Sequence, residues 1–536
     1  MTWLAKRLGS RRAHEHEQTE PGPTWVWPRR LDPSSGAVTL GETRLLGTTG
    51  SGPVAIIDDH GTVQLSATSW TVEWWVGAED RWHRSGSEVN VRQQQSGSGP
   101  VTETAMRVPG GDIVQRAGAC ESDPAAVVLE FENRSAVPVA LAVVVRPFEL
   151  HRSGRIAELR VDGSSLWVDG NPGLVFDRMP ASVVGGDAAC DVSERLTDLA
   201  SAEPGSFDQR CEDGMATVAM IMPLAHTAVA RVAVGAVAPA VFANLPSLEQ
   251  VSAGWSAHLD LGPRLEWPGA SADFDKDLAT LLVTAARVDR SPQGAEQWTP
   301  VEQARVLEAL VRSGHPAGPD DLDAWLAHTA VRANDQAGAA AVIARAAADP
   351  HPEWFDEYLG WAVENVRRGV SGADDEALRS VGPLGVLLRR LDQPDSAEAV
   401  LSDWAPWSVP AWSSPGALTD PVAAAAAVVG AVDGLARAAA DGLDLLSAAD
   451  STWFGQPVDI RELPTPYGPL SFSVRWHGDR PALLWERDPW PDAGDCRLRC
   501  SALDPSWSSV DEQGDALLGA PGSGGASAVE PGQSFG

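Results

Sequence analysis

From about Ser34 to Val237 the chain is written in short β-branched runs broken by turn residues, the pattern of an antiparallel all-β domain. Gly52 to Asp58 and Thr62 to Ser66 flank Asp59-His60-Gly61, which reads as a hairpin turn with glycine where positive φ is needed. In Val127 to Asn133, Leu129 and Phe131 alternate with Val128, Glu130 and Glu132, so one face points to a core. After Asn133-Arg134-Ser135 the chain returns as Val137 to Val145, apolar on both faces and therefore expected in the middle of its sheet. Further hairpins are predicted around Asp162-Gly163 and between Met215 and Val237. Roughly a dozen strands are expected, too many for a minimal immunoglobulin sandwich, so the pattern predicts a large two-sheet sandwich. The acid-rich stretch from Asp187 to Asp213 reads as a surface loop.

The period changes near Asn244. Leu245 to Leu259 predicts a connecting helix and Pro263 to Trp267 a short extended piece. Beyond Ser271, apolar spacing at i, i+3 and i+4 predicts helices at about 271–290, 299–313, 319–331, 335–348, 352–369, 374–391, 394–403 and 419–440. Thr299-Pro300 offers an N-cap with proline at the first helical position, and the short links imply antiparallel hairpins. Strand character returns in Leu470 to Trp476 and Pro481 to Glu486, joined at His477-Gly478-Asp479. The expected fold class is multidomain α+β: a β-sandwich over 34–243, a linker helix and strand over 244–270, an α/α-hairpin domain over 271–450 and a C-terminal β segment over 451–510. The ends, 1–33 and 511–536, read as disordered tails by composition.

Charge and composition narrow the function classes. The 536 residues carry 41 Lys and Arg against 73 Asp and Glu, a formal charge of −32. Each phosphate contact needs a cation to offset it, so nucleic acid and anionic membrane are not expected as partners. The only lysines are Lys6 and Lys276, neither of them in a Gly-Lys-Ser/Thr string, so no P-loop exists. Schiff-base chemistry would rest on Lys276, which lies among Asp273, Asp275 and Asp277 and reads as an ion-pair partner. The strings of dinucleotide-binding, serine-hydrolase and zincin families do not occur. Five scattered cysteines form no disulfide framework, and Cys496 and Cys500 have the wrong spacing for zinc. No metal or cofactor is expected, and a cytoplasmic location is. The N-terminal stretch lacks a signal-type apolar run, and nothing approaches the roughly 18 apolar residues of a membrane span.

The domain order, the strand pair from Val127 to Pro147 and the string from Pro464-Thr465-Pro466-Tyr467-Gly468 through Trp476 resemble the bacterial glucoamylase and trehalase-like glycosidases built on an α/α toroid, the six-hairpin glycosidase-like architecture. The Thr-Pro-Tyr-Gly string looks like the stretch leading into the C-terminal sheet of related toroid glycosidases such as rhamnosidases. The layout and the Arg, Ala, Gly and Trp bias also resemble an actinobacterial lineage. The resemblance implies carbohydrate metabolism and an α-glucan type of ligand. It also implies a pair of carboxylates facing across a cleft, about 5 Å apart for retention or 6.5–9.5 Å for inversion. Helices of about 12 residues with links of about 5 leave room for at most roughly ten between Ser271 and Asp450, so an abbreviated or open ring is expected.

Candidate carboxylates are Glu353 and Glu357 in Pro352-Glu353-Trp354-Phe355-Asp356-Glu357-Tyr358 for the acid, and Asp403 for its partner. The structural alternative is that Glu353, Asp356 and Glu357 occupy a helix's first turn, where the dipole favours carboxylates whatever the function. The proline-broken stretch from Asp403 to Pro415 carries Trp404, Trp407 and Trp412, candidate substrate-binding residues because indole faces stack on sugar rings. Their alternative role is to anchor an irregular loop. Trp70 and Trp74 share a strand face opposite Trp75, and core and inter-domain packing is expected for the three. The function expected is that of a glycosidase-related, degenerate protein binding an oligosaccharide or a protein partner. The alternatives are an active inverting glycoside hydrolase of α-glucosidase type and an interaction scaffold without sugar.

Overall fold

The computed structural model describes residues 43–66, 68–150, 152–196, 206–268, 271–285, 299–315, 335–402 and 420–521. The chain forms two compact units. Of the described residues, one comprises those up to Val251 apart from Thr48–Gly52 and Gly97–Pro100, and the other comprises those two segments and the described residues from Ser252 onward.

The first unit is a sandwich of two antiparallel sheets. The eight-stranded sheet runs in the order Thr43–Thr48, Gly52–Asp58, Val63–Leu65, Thr71–Gly77, Val139–Arg146, Thr217–Leu224, Ser182–Gly186, with Trp82–Arg84 added to Thr71–Gly77. The nine-stranded sheet runs Ser206–Arg210, Glu158–Asp162, Ser165–Val168, Asn171–Phe176, Val229–Val234, Ala126–Asn133, Gly111–Cys120, Thr102–Val108, Val91–Gln95. Strand alternation does the sorting. Leu129 and Phe131 meet Trp74, Val143 and Met220 in the core between the sheets. Val128 faces outward, under Phe242, Leu245 and Leu248. Val139–Arg146 is paired on both edges, as its two apolar faces require, with Leu141 and Val143 inside and Ala142 and Val144 in a second cluster with Trp75. Trp70 and Trp74 lie in the main core and Trp75 on the opposite face, as the strand period predicts.

Two expectations for this unit change. The strand count rises to seventeen among the described residues, because three-residue strands such as Val63–Leu65 and Trp82–Arg84 are too short to show a period. The acid-rich stretch read as a loop contains the short helix Val192–Arg195 and the edge strand Ser206–Arg210, whose register against Glu158–Asp162 is fixed by backbone pairing that its polar side chains do not advertise.

In the second unit the helices are α1 (Leu248–Leu259, which begins in the first unit), α2 (Ser271–Ala285), α3 (Pro300–Arg312), α4 (Gln336–Ala347), α5 (Leu359–Ser371), α6 (Asp375–Arg390), α7 (Pro394–Leu401) and α8 (Pro421–Leu435). Thr299 closes a full capping box on α3: its hydroxyl accepts from Glu302 N while the Glu302 carboxylate accepts from Thr299 N. One apolar core joins α4 to α7 through Ile343, Phe355, Val366, Leu384, Leu387 and Val400. The expected 319–331 helix lies outside the described residues. The helix expected to run to 440 stops at Leu435, where Ala436 turns extended and pairs as Ala436–Ala439 with Gly442–Leu445. Alanine favours helix, but tertiary strand pairing overrides so weak a preference. Two sheets complete the unit: Arg264–Glu266, Val458–Leu463, Leu470–His477, Arg480–Arg487 and Gln513–Leu517 in one, and Ala436–Ala439, Gly442–Leu445, Arg497–Cys500 and Asp504–Ser509 in the other. The strand at Gln513–Leu517 stands where the composition reads as tail. Among the described residues no helix is long and apolar enough to cross a membrane.

Candidate functional site

Inside the helical layer a small cavity is lined by α3, α4, α6, the end of α8 and Pro464-Thr465-Pro466, the start of the string that carries the family resemblance. Helical spacing places Arg305, Glu308 and Arg312 on one face of α3, and Glu376 and Arg379 on one face of α6. Arg379 grips Glu308 with two bonds, Nε to Oε1 at 2.9 Å and Nη2 to Oε2 at 2.7 Å. Arg312 reaches Glu308 Oε1 at 3.5 Å and both carboxylate oxygens of Asp433 on α8, through Nη1 to Oδ2 at 3.2 Å and a shorter contact from Nη2 to Oδ1. Arg305 Nε closes the set on Glu376 Oε1 at 2.7 Å. Three guanidiniums thus face three carboxylates, and Glu308 and Asp433 are almost completely buried.

Burial works to raise the Glu308 carboxyl, but the Arg379 and Arg312 guanidiniums outweigh it and hold Glu308 below the usual carboxylate range. At Asp433 burial dominates over Arg312 and the group stands above its ordinary value, with the Glu308 charge adding to the effect. Arg379 remains charged, because Glu308 more than offsets the penalty of burying it. Two carboxylates shifted apart in one network is the arrangement from which acid and base roles are drawn, but here both are committed to arginines, and only Glu308 lines the cavity. The cavity has a volume of about 50 Å³. At 10–15 Å³ per water position that admits about four waters, not a pyranose ring. The network therefore clamps α3, α6 and α8 together, and no glycosidic bond fits between its acids.

The candidate carboxylates Glu353 and Glu357 lie elsewhere in the unit, on a 3₁₀ turn, Pro352–Glu357, instead of the first turn of an α-helix. Three residues per turn stacks Pro352 over Phe355, Glu353 over Asp356 and Trp354 over Glu357. The first column is buried, and the acids are exposed. Glu353 and Glu357 are thereby sent to different sides, whereas an α-helix would bring residues four apart together. The reason for the tight winding is the packing of Phe355 into the α4–α7 core directly after Pro352. Beside the acids, Trp354 and Tyr358 are half-buried with ring centroids 6.2 Å apart, and Trp354 Nε1 donates to Asp349 Oδ2 at 3.0 Å. Arg390 is engaged just behind, donating to the carbonyls of Ala347 and Asp349 and lying over the Trp490 ring.

Asp403, Trp404, Trp407 and Trp412 lie outside the described residues. Lys276 is part of α2, where its carbonyl accepts from Thr280 Oγ1. Cys496 and Cys500 are free, buried thiols, both pushed up to about 12 by burial and correspondingly unreactive. The buried network went unread in the sequence. Its available signals were an acid, Asp433, inside an otherwise apolar helix and Arg-Glu pairs at helical spacing on the faces of α3 and α6 that should be apolar.

Comparison with known proteins adds little. No family model matches the chain. No curated protein matches it either. Among solved structures, a family GH92 α-mannosidase from Bacteroides thetaiotaomicron in complex with mannoimidazole aligns with 68% of this chain at 9% sequence identity and a TM-score of 0.24. The alignment spans 61% of the mannosidase chain. A superposition of that quality fixes neither the topology nor the chemistry of this chain.

Proposed function

We propose that this is a glycosidase-related protein that binds an α-glucan type of oligosaccharide without cleaving it. The observation that carries the non-hydrolytic half is the neutralised network: buried Glu308, held by Arg379 and Arg312, lines a cavity where only a few waters fit, and buried Asp433 is committed to Arg312. The binding half rests on surface chemistry. The 3₁₀ turn presents half-buried Trp354 and Tyr358 beside exposed Glu353, Asp356 and Glu357, a set able to stack on a sugar ring and accept its hydroxyl hydrogen bonds. Trp404, Trp407 and Trp412 are proposed as further stacking residues and Asp403 as a further carboxylate, on chemistry alone.

The test is a panel of maltooligosaccharides and trehalose, scored both for released reducing sugar and for quenching of tryptophan fluorescence. Quenching without turnover, weakened at least ten-fold in Trp354→Ala or Trp407→Ala, is the expected result. Turnover that disappears in Glu353→Gln or Asp403→Asn would replace this reading with an active inverting hydrolase. No response to any sugar would leave a protein-interaction scaffold.

A further inference from the structure

We propose that Asp349 is the positioning residue of the saccharide site, holding the Trp354 indole in the orientation that stacks on a sugar ring; this rests on the saccharide reading above. Asp349 follows the end of α4 and is joined to Trp354 through Pro350-His351-Pro352-Glu353. Two prolines in that link fix φ at both positions, so the backbone carrying Trp354 has little freedom of its own. What remains is rotation of the indole about its two side-chain bonds. The Asp349 carboxylate removes it, Oδ2 accepting from Trp354 Nε1 at 3.0 Å. That carboxylate is itself held, Oδ1 accepting from the His351 amide at 2.9 Å and Oδ2 from Arg345 Nη1 at 3.4 Å.

An indole N–H is a donor only, so an anionic acceptor gives it one strong, directional bond. Phe355 and Tyr358 meet the Trp354 ring at 85° and 62°. Neither is stacked flat against it, so neither takes the parallel position that a pyranose would occupy. The ring stays half-buried. A stacking side chain that is already ordered loses less entropy on binding, and the cost of ordering one such side chain corresponds to about two- to ten-fold in affinity. Trp490 supplies a contrast at the same helix end. Its Nε1 donates to the Ala347 carbonyl at 3.0 Å, so a backbone oxygen fixes that ring and no substitution at position 349 removes the bond.

Fluorine NMR of the full chain labelled with 5-fluorotryptophan, alongside fluorescence titration with maltooligosaccharides, tests this. The Trp354 and Trp490 lines are assigned by their loss in Trp354→Phe and Trp490→Phe. Asp349→Ala is expected to shift or broaden the Trp354 line, leave the Trp490 line in place and weaken sugar binding about two- to ten-fold. Asp349→Asn, whose carboxamide oxygen still accepts from the indole, should restore both the line and the affinity. Thr299→Ala, which removes the cap of α3, should change neither, so a loss of stability alone does not mimic the effect. An unchanged Trp354 line or an unchanged affinity in Asp349→Ala overturns the assignment. Absence of sugar binding by the parent protein overturns the saccharide reading itself, and the two failures are told apart because only the first leaves a parent protein that binds.

Discussion

Glu308 shows at the scale of one residue how burial and charge compete. Its carboxylate is stable as an ion only because Arg379 and Arg312 compensate for lost water. Removing one partner of such a buried set leaves the other charges uncompensated, so Glu308→Gln is expected to cost about 3–5 kcal/mol of unfolding free energy in urea titrations. Glu353→Gln, on an exposed turn, should stay within about 0.5 kcal/mol. The pH dependence follows from the direction of the shift. Because the folded-state value of Glu308 lies below the ordinary 4.5, its contribution to stability is full above that value and is lost as pH falls through the lower, folded-state value. Asp433 is shifted upward and works in the opposite sense: its contribution is present below the ordinary 3.8 and fades as pH rises through its folded-state value. Unfolding curves of Asp433→Asn should therefore retain the acid-side loss due to Glu308. A flat profile in Asp433→Asn would show that Glu308 is not the group responsible.

Elements in this protein are shaped by their ends as much as by their periods. The Thr299–Glu302 capping box satisfies donors at the start of α3, the helix that carries Arg305, Glu308 and Arg312. Thr299→Ala should lower stability by about 1 kcal/mol, measured by thermal unfolding, and Thr299→Ser should restore most of it. At the hairpin turn, Gly61→Ala meets both positive φ and the Gln115 side chain, and a loss of about 2 kcal/mol is expected. The N-cap was legible in Thr299 and Pro300, and so was the glycine turn; the return bond from Glu302 that makes it a capping box came from the structure. The 3₁₀ winding of Pro352–Glu357 was not, because Glu353 to Tyr358 suit an α-helix locally and the tighter turn is set by where Phe355 must pack. The strand at Ala436–Ala439 escaped for the same reason, its alanines favouring the helix that precedes it.

For the whole molecule the dominant quantity is the charge of −32. Many of the described arginines are already paired, among them Arg81 with Glu88, Arg146 with Glu73 and Asp191, and Arg499 with Asp441. The acidic excess therefore repels itself at long range, and shortening the Debye length from about 30 Å to about 8 Å should relieve it. The melting temperature is expected to rise as NaCl goes from about 10 mM to about 150 mM. A fall would mean that screened surface ion pairs outweigh the relieved repulsion.

What the sequence determined by itself is the order and kind of the elements, because strand alternation, helical spacing and turn residues act between neighbours. Leu129 and Phe131 against Val128, the central strand from Val139 and the helices α3 to α8 all follow from such local rules. The chemistry of the helical layer was decided by tertiary structure alone. Glu308 and Arg379 are 71 positions apart, and Arg312 and Asp433 are 121 apart. Each looks like an ordinary charged residue until packing removes the water that would otherwise separate it from its partner.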